Sequence, residues 1–400
     1  PPVAPFQSTQ AMTLHPHWGH GSLLQALARA RQKDSLPGAL LIHGARGVGK
    51  QHLALWIGRL LLCDSPGPEG PCESCPSCHL AGKIEHPDLN WFFPLPRPKK
   101  ATTPEKLARA LEEARWEALE EIRKAPLKPF RTDGPRSLYL AAAQTLRRQA
   151  QRRPSMGKRQ VFIIAEAEAL APRSSSSEAA NALLKLLEEP PEGTTLILTS
   201  SEPGRLLPTI RSRTNQLHLP PLSLDEVESF LLQVAEIPEA EARKAAAVSQ
   251  GSIGRAIGFT PDGEEPGPLV QPRSDAFKLL SAALAPTVGA SFQTAAEFSS
   301  TGGRGLMELL DFLEEWLREL AIVTTGGREE SGGGEGDQPL RRVASRWQIH
   351  PTAVARAREK VDDARAMASG NVNPQLVIFG LLHDLRRVLV GDDAPQEGGS

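Results

Sequence analysis

The chain lacks any apolar run long enough to cross a membrane, and it is poor in aromatic residues. A membrane span needs about 18 consecutive apolar residues, and none occurs in these 400 residues. Aromatic residues make up 5% of the chain, which argues against a surface that binds nucleic acid by base stacking. The formal net charge is −1, so contact with nucleic acid would require a local basic patch.

Residues 1–10 also lack the charged and apolar regions of a signal peptide. We therefore expect a cytoplasmic protein that has no membrane partner. Its 400 residues are too many for one ordinary hydrophobic core, and apolar residues make up 40% of them. These values predict two or three globular domains.

Cysteine is scarce as well, but its four copies are clustered. They are Cys63, Cys72, Cys75 and Cys78. Thiolates at Cys-x2-Cys spacing can bind one tetrahedral Zn²⁺, and four protein ligands close its coordination shell. A tight cluster in a cytoplasmic protein favours a metal over disulfides. We therefore predict a structural zinc site, with unliganded thiols or an iron–sulfur cluster as the alternatives.

Short apolar strands alternate with helices in the first half of the chain. The pattern predicts strands at 38–44, 160–164 and 194–199, and helices at 23–31 and 53–62. Continuous apolar strands that alternate with helices are typical of a buried parallel sheet. This half of the chain is therefore predicted to be an α/β domain.

A glycine-rich segment lies between the first strand and the second helix, where a phosphate-binding P-loop belongs. Glycines allow backbone amides to approach phosphate oxygens, and the lysine places a positive charge beside them. The candidate nucleotide-binding residues are Gly44, Gly47, Gly49, Lys50 and Gln51. The last position of a P-loop is normally Ser or Thr, whose hydroxyl binds Mg²⁺. With glutamine there, we expect inefficient hydrolysis even where ATP still binds.

The strand at 160–164 lacks the second magnesium ligand. In P-loop ATPases this strand ends in an aspartate that holds Mg²⁺, whereas here it is followed by Ala165 and then Glu166. Glu166 is either a residue that orients water or a solvated residue at a strand end. Two independent losses at the metal site predict that the chain is not a self-sufficient ATPase.

Composition predicts a P-loop domain over residues 1–220. It contains the zinc module at 63–78 and an insertion at 91–136. The insertion opens with a proline-rich stretch and includes a charged helix at about 104–124. We expect both additions to interrupt the alternation of strands and helices without breaking the sheet.

Beyond residue 220 the pattern is helical throughout. Residues 221–262 are predicted to form a small helical lid, which Ser223 and Glu226 open with a capping box. Residues 263–400 are predicted to form an all-helical domain. A glycine-rich stretch at 326–337 and the C-terminal tail are predicted to be disordered.

Two segments after the zinc module carry a family resemblance. Residues 179–191 read Ala-Ala-Asn-Ala-Leu-Leu-Lys-Leu-Leu-Glu-Glu-Pro-Pro, and residues 207–214 read Leu-Pro-Thr-Ile-Arg-Ser-Arg-Thr. By chemistry alone, the first segment is a leucine-faced helix that ends at its prolines. The order of zinc module, helix and Ser-Arg motif resembles the clamp-loader subunits of bacterial DNA polymerase III, and among them the delta-prime type. The resemblance covers about residues 14–260.

The resemblance implies an AAA+ fold with a C-terminal collar domain, and a role in a pentameric complex that loads a ring-shaped sliding clamp onto primer–template DNA. Implied partners are motor and delta-type subunits, the clamp and, through the complex, DNA; polymerase activity would belong to the complex. Arg213 corresponds to an arginine finger that acts in trans on a neighbour's ATP, with an ordinary interface arginine as the alternative. Thr199 takes the place of a sensor residue, or is only a strand former.

Motor subunits of this family carry an arginine where this chain has Gly254. Arg255 follows one position later, about 100° around a helix, so we expect it to point away from the phosphates. Together with Gln51 and Ala165, this loss favours the non-hydrolysing delta-prime type. The alternatives are a gamma/tau-type motor subunit that hydrolyses ATP, and an unrelated P-loop protein such as a DNA-repair ATPase or a small-molecule kinase.

A run of basic side chains lies between the insertion and the second strand. Its members are Arg147, Arg148, Arg152, Arg153, Lys158 and Arg159. Such a run is typical either of contact with the phosphate backbone of DNA or of a solvated helix face. The sequence leaves both interpretations open.

Overall fold

The structure is a computed structural model that describes residues 17–98, 101, 103–126, 136–171, 177–261, 263, 265–285, 293–296, 303–325, 337–368 and 372–391. The chain divides into two compact units, Pro1–Ile257 and Gly258–Ser400, and each has a hydrophobic core of its own. Among the described helices, none combines the length and the apolar character that a membrane crossing requires.

The first unit is built on a parallel sheet. Its strands are β1 (Ala39–His43), β2 (Leu89–Phe92), β5 (Gln160–Ile164), β6 (Thr194–Ser200) and β7 (Asn215–His218), and a small antiparallel pair is formed by β3 (Leu95–Pro96) and β4 (Arg136–Ser137). The strand order is β2-β5-β6-β1-β7, and every pairing in this sheet is parallel. The three strands predicted from the sequence are confirmed to within one residue at each end.

Helices cover both faces of this sheet. The helices of this part of the chain are α1 (Gly21–Gln32), α2 (Lys50–Leu62), α3 (Pro76–Gly82), α4 (Pro104–Lys124), α5 (Leu140–Ala150), α6 (Glu178–Glu188), α7 (Pro208–Arg211), α8 (Leu224–Gln233), α9 (Glu239–Val248) and α10 (Ile253–Phe259), with 3-10 turns at Ala167–Leu170 and Pro203–Arg205. Alternate residues of β5 enter different cores: Val161 and Ile163 pack with α2, whereas Phe162 and Ile164 pack with α5 and α6. A strand buried on both faces is expected to be largely apolar, and Val161–Ile164 agree with the sequence pattern.

The insertion begins later than predicted. Trp91 and Phe92 belong to β2, which pairs with β5 at one edge of the sheet, so the prediction of an insertion from residue 91 is wrong at its start. The aromatic residues lie next to prolines, and a strand of four residues leaves too short an apolar pattern to detect. The predicted charged helix is confirmed as α4, and its Leu111 and Leu119 complete the core around α2.

The described part of the second unit consists of helices joined by turns and short connections. Its longer helices are α11 (Val270–Ala283), α12 (Gly303–Thr324), α13 (Asp337–Trp347), α14 (Pro351–Ala368) and α15 (Pro374–Val390). The predicted disordered loop at 326–337 lies outside the described residues except for Asp337, which begins α13, and so does the tail after Gly391.

The predicted lid belongs to the first unit over most of its length, because that unit extends to Ile257. Its predicted capping box is confirmed: Ser223 accepts a hydrogen bond from the backbone N–H of Glu226, and the Glu226 carboxylate accepts one from the Ser223 backbone. The division into three domains at residues 220 and 262 stays a prediction.

Candidate functional site

The P-loop connects the carboxyl end of β1 to the first residue of α2. Gly47 and Gly49 adopt φ values of 77° and 93°, a backbone region in which side chains are strained. A Cβ on Gly47 would also lie 2.3 Å from Oγ of Ser252, which is too close for any larger residue. The two glycines are therefore required by the path of the loop itself.

Lys50 is the first residue of α2, and it is buried. Its Nζ donates hydrogen bonds to the carbonyl oxygens of Gly44 (2.9 Å) and Ala45 (2.7 Å). Burial lowers the pKa of Lys50 to about 8, and the charge of Glu168 acts in the opposite direction. The loop thus encloses its own lysine, and Gln51 follows as a half-buried residue of the same helix turn.

The end of β5 offers no carboxylate at the position of the magnesium ligand. Ala165 is completely buried, and its backbone N–H donates to the Phe92 carbonyl at 2.8 Å. Glu166 has a left-handed φ of 49°, and its N–H donates to Thr199 Oγ1 at 3.3 Å. Its carboxylate pairs with Arg136 at 3.3 Å. Thr199 therefore holds the turn after β5, and Glu166 already has a cationic partner within the chain.

The sequence analysis did not identify Glu168, a carboxylate whose charge partly offsets the lowering of the Lys50 pKa by burial. Its Oε1 accepts a hydrogen bond from the backbone N–H of Ser201 at 3.2 Å, which fixes the side chain between the ends of β5 and β6. The signal in the sequence is weak, since it consists only of a second acidic residue two positions after Glu166.

The beginning of α10 lies against the P-loop. A Cβ on Gly254 would lie 3.5 Å from the carbonyl oxygen of Gly47, so a longer side chain there would start directly beside the loop. Arg255 is also near: its Cγ lies 3.4 Å from the position of a Cβ on Gly47. The close approach of α10 brings two successive residues, including the stem of Arg255, beside the loop. That the Arg255 guanidinium does not point at the phosphates stays a prediction.

The segment before α1 connects the P-loop to α8. The indole N–H of Trp18 donates to the carbonyl oxygen of Glu226 at 2.9 Å. One residue earlier, Cε1 of His17 lies 3.7 Å from the position of a Cβ on Gly49. The P-loop is therefore bordered on one side by α10 and on another by this segment.

The His17 ring is kept neutral in this position. Burial, followed by the charges of His52 and His20, lowers its pKa to about 3. The ring centroids of His17 and His52 are 5.7 Å apart, and those of His17 and His20 are 5.9 Å apart. A protonated His17 would face both desolvation and two neighbouring imidazoles.

Arg213 lies just after the short helix α7, on the surface of the unit. Its Nε donates to the Glu188 carboxylate at 3.3 Å, and a guanidinium N–H donates to the Thr209 carbonyl at 3.1 Å. The side chain is 30% exposed. Thr214, which replaces the cysteine of the family motif, is buried and bonds to the Ile210 carbonyl.

The four cysteines come together in space. All four sulfur atoms lie within 4.8 Å of one another, and the sulfurs of Cys72 and Cys78 are 4.0 Å apart. Four sulfurs around one Zn²⁺, with Zn–S distances of about 2.3 Å, are about 3.8 Å apart. The donor set therefore fits a tetrahedral zinc ion.

Hydrogen bonds and burial act in opposite directions on the cysteine sulfurs, because burial raises the pKa of the Cys63 and Cys78 thiols. The N–H of Cys72 donates to Cys63 Sγ (3.2 Å), that of Cys75 to Cys72 Sγ (3.4 Å), and that of Cys78 to Cys75 Sγ (3.4 Å). Hydrogen bonds to the charged form favour ionisation, and those from Ser74 are the largest cause that lowers the pKa of Cys72 to about 6. Metal ligation requires this deprotonated form.

The cysteine module packs on α2. Arg59 of α2 forms an ion pair with Glu73 of the module. A Cβ on Gly70 would lie 2.8 Å from the ring of Trp56, so the module's backbone touches the helix directly. Cys63 is the residue that ends α2. The conformation of the module is therefore coupled to the helix that begins at the P-loop.

The sequence that forms the P-loop, the cysteine module and the Arg213 segment is similar to that of known proteins. Residues 19–223 match the profile of the family described as "DNA polymerase III, delta subunit". The DNA polymerase III subunit delta' of Pseudomonas aeruginosa is 33% identical over 215 residues, which cover 54% of this chain and 53% of that one. The delta' subunit of Bacillus subtilis is 29% identical over 211 residues (53% and 50%), and the tau subunit of Escherichia coli is 28% identical over 213 residues (53% and 26%).

The chain spans about half the length of the delta' relatives that it matches. The region that matches the family profile comprises just over half of the 400 residues, and it contains the P-loop, the cysteine module and Arg213. This chain belongs to the DNA polymerase III delta-subunit family, as a delta-prime-like protein.

Proposed function

We propose that this chain is a stationary subunit of a replicative clamp loader, which helps to place a sliding clamp on primed DNA. Its partners are motor and delta-type subunits, the clamp and, through the complex, primer–template DNA. The chain does not hydrolyse ATP efficiently, and polymerase activity belongs to the holoenzyme. The similar proteins of Pseudomonas aeruginosa and Bacillus subtilis are subunits of DNA polymerase III, which supports this assignment.

The observation that carries the proposal is a P-loop that keeps its glycines and lysine but lacks its magnesium ligands. Lys50 and the glycines are proposed to form a phosphate site, and with Gln51 they would hold a nucleotide there. The hydroxyl expected at position 51 and the carboxylate expected at position 165 are missing. Mg²⁺ neutralises the charge that develops on the transferred phosphoryl group. A site of this kind can bind ATP, but it has no means to hold the metal.

Arg213 is proposed to act on a neighbouring subunit's ATP. Its only charged partner among the described residues is Glu188, in a partly exposed ion pair. Such surface pairs contribute about 0–1 kcal/mol, so Arg213 can exchange Glu188 for a phosphate oxygen of another chain with little loss. A guanidinium placed there would stabilise transition-state charge in trans.

The cysteines Cys63, Cys72, Cys75 and Cys78 are proposed to bind one structural Zn²⁺. Four protein ligands leave no open coordination position for catalysis. The ion would fold the module that packs on α2, because a segment of this size has too little apolar surface to form a core alone. We further propose the predicted division into a P-loop domain (1–220), a lid (221–262) and a helical collar (263–400), whose collar binds the partner subunits.

The test is DNA-stimulated ATP turnover by the clamp loader reconstituted from this chain and the partner subunits of its own organism. We expect Arg213→Ala to reduce turnover by roughly tenfold or more, because an arginine finger contributes about 10³-fold or more at its own site. We expect Lys50→Ala to leave turnover within about twofold of the wild type. Arg211→Ala, which removes a nearby arginine of the same segment, is the matched control.

The outcomes separate the candidates. A large loss with Lys50→Ala would show that this subunit is itself a motor of the gamma/tau type, for which the similarity to a tau subunit is the supporting observation. Unchanged turnover with Arg213→Ala would show that no neighbour depends on this arginine. Failure of the chain to assemble with the partner subunits would favour an unrelated P-loop protein.

A further inference from the structure

A dense positive surface lies where α5 ends and the chain returns to β5. Five cations are exposed there within twelve positions: Arg147, Arg148, Arg152, Arg153 and Lys158. We call these five the basic surface. None of them forms an ion pair with another described residue. The sixth member of the run, Arg159, differs because it pairs with Asp34 at the end of α1.

The loop that carries three of these cations is held by a buried carboxylate. Asp88, which is 3% exposed, accepts hydrogen bonds from the backbone N–H groups of Ser155 (2.6 Å) and Met156 (2.7 Å). Burying a carboxylate is costly unless it is well hydrogen-bonded, and here both of its oxygens are used to fix the loop. The backbone between Arg153 and Lys158 therefore has a defined path.

A buried amide holds the beginning of the same loop. The side-chain N–H groups of Gln160 donate to the carbonyl oxygens of Ala150 (2.8 Å) and Arg152 (3.1 Å) and to Thr194 Oγ1 (2.9 Å). Gln160 is 5% exposed. Cations on a fixed backbone lose less conformational entropy on binding than cations on a free loop. The loop thus presents its charges in a preorganised arrangement.

The basic surface is separate from the nucleotide site. It lies at the amino end of β5, whereas the P-loop follows the carboxyl end of β1. The two strands are parallel, since each pairs in parallel with β6. The basic surface therefore lies at the amino ends of the strands and the P-loop at their carboxyl ends. None of the five residues of the surface is needed for the P-loop.

The chemistry of the surface favours nucleic acid over an acidic protein. Four of the five cations are arginines, whose planar guanidinium groups bind phosphate oxygens in pairs. Protein interfaces have an apolar, aromatic-rich centre, whereas residues 147–159 contain no aromatic residue, and their one exposed large apolar side chain is Met156. The lack of aromatic residues also removes the stacking that single strands require.

We propose that the basic surface binds the phosphate backbone of double-stranded nucleic acid without sequence preference. Contacts to phosphates position a protein on a duplex but carry no sequence information. The inference deepens the proposed function, since primed DNA is the substrate of that complex. The inference rests on that function only in naming the duplex as primed DNA. Binding of duplex itself can be measured with the isolated chain.

The experiment measures binding of the full chain to a short fluorescent duplex over a series of salt concentrations. Five phosphate contacts give a slope of log K against log salt of about −4.5. In the triple variant Arg152→Ser, Arg153→Ser, Lys158→Ser we expect this slope to weaken by about 2.7. The matched control replaces Arg243, Lys244 and Arg356 by serine; these are exposed cations without an ion pair among the described residues, and we expect their loss to leave the slope unchanged.

A second variant distinguishes the effect of the fixed loop conformation on DNA binding from the effect of total charge. Asp88→Asn removes one negative charge, so simple electrostatics predicts tighter binding of DNA. If the loop must be held in place, binding becomes weaker instead, because the hydrogen bonds to Ser155 and Met156 lose their charged acceptor. Circular dichroism and thermal unfolding show whether the variant keeps its fold.

Three results would overturn the proposal. The first is a triple variant that binds with the salt slope of the wild type, and the second is tighter binding by a folded Asp88→Asn variant. The third is competition by polyglutamate as strong as that by duplex of equal charge, which would identify a surface for acidic proteins. All three are read without ATP or partner subunits, so failure here leaves the roles of Arg213 and Lys50 untouched.

Discussion

The P-loop and the cysteine module lie at opposite ends of one helix, yet only one of them has a complete set of ligands. Lys50 begins α2 and Cys63 ends it. The module has all four sulfurs that a zinc ion requires, whereas the P-loop has its glycines and lysine without either side chain that would hold Mg²⁺. The comparison predicts that the two sites differ in how far their folding depends on a ligand.

The P-loop is stable without a ligand because hydrogen bonds within the chain satisfy its polar groups. The Lys50 ammonium bonds to two carbonyl groups of its own loop, and α10 covers Gly47. The cysteine module has no comparable arrangement, because burial disfavours the thiolate forms of Cys63 and Cys78, and a bound metal would have to stabilise them. Loss of the magnesium ligands therefore removes chemistry from the P-loop, whereas loss of one sulfur would remove structure from the module.

The largest effect is expected on removal of a buried sulfur. Cys78→Ser should reduce bound zinc from one ion per chain to well below that, measured by elemental analysis of protein purified under reducing conditions. Structural zinc contributes about 10–16 kcal/mol to small zinc modules, so we expect residues 63–82 to lose protection in hydrogen exchange. Ser74→Ala, which removes only a weak donor to Cys72, should keep its zinc. Full zinc occupancy in Cys78→Ser would contradict the comparison.

A smaller effect is expected when a magnesium ligand is restored to the P-loop. Ala165→Asp places a carboxylate at a completely buried position near Glu166 and Glu168, so we expect the free energy of unfolding to fall by about 2–4 kcal/mol. The double variant Gln51→Thr, Ala165→Asp should regain part of the lost free energy of unfolding when Mg²⁺ and ATP are added. The measurement is thermal unfolding with and without Mg–ATP.

The control for this prediction is Ala165→Asn, which has nearly the same shape without the charge. It should be destabilised less than Ala165→Asp and should not respond to magnesium. If Mg–ATP fails to stabilise the double variant Gln51→Thr, Ala165→Asp, then the site has lost more than its two metal ligands.

The smallest effect concerns the neutral histidine beside the P-loop. The folded-state pKa of His17 is about 3, below its ordinary value of 6.5, so the unfolded chain takes up this proton first. The stability that depends on neutral His17 is fully present above about pH 6.5 and is lost as pH falls toward 3. Between pH 7 and pH 5 we expect this one group to lower the free energy of unfolding by about 2 kcal/mol.

His17→Leu should remove that part of the acid sensitivity, measured by denaturant unfolding at both pH values. His383→Leu, at an exposed position of α15, should leave the pH dependence as it is in the wild type. The same decline with pH in His17→Leu and in the wild type would mean that other groups govern acid stability.

Elements with strong local patterns were predictable from the sequence. The strand Gln160–Ile164 and the helix Pro104–Lys124 have the predicted bounds, because four consecutive apolar residues after Gln160 and a long amphipathic charged segment each allow few alternatives. The capping box at Ser223 was predictable for a similar reason, since it depends on residues only three positions apart.

Two strands of the sheet were not predicted. β7 has the sequence Asn-Gln-Leu-His and is largely exposed, so it shows neither an apolar run nor a clear alternation. It is a strand because β1 offers it a free edge. β2 is equally short, and its place beside β5 is set by a pairing between segments about seventy residues apart in the chain. Pairings over such distances leave no local signal.

The candidate site also contains some residues that local sequence signals identify and others that only long-range contacts bring together. The glycines, Lys50 and the four cysteines were identified by their types and spacing, because a loop that must approach phosphate and a metal that requires four sulfurs restrict residue choice locally. Glu168, His17 and the stem of Arg255 were not assigned to the P-loop in advance. Each reaches it from another segment, and nothing in its own neighbourhood marks the contact.

The sequence alone determined the α/β class of the first half, the P-loop, the cluster of four cysteines and the absence of both magnesium side chains, because these depend on residue identity at short range. The tertiary structure decided which groups surround the P-loop, that Arg213 is held by Glu188, and that the basic loop is fixed by Asp88 and Gln160. These contacts join residues far apart in the chain, and the energy that selects them comes from burial and hydrogen bonding that exist only once the sheet has formed.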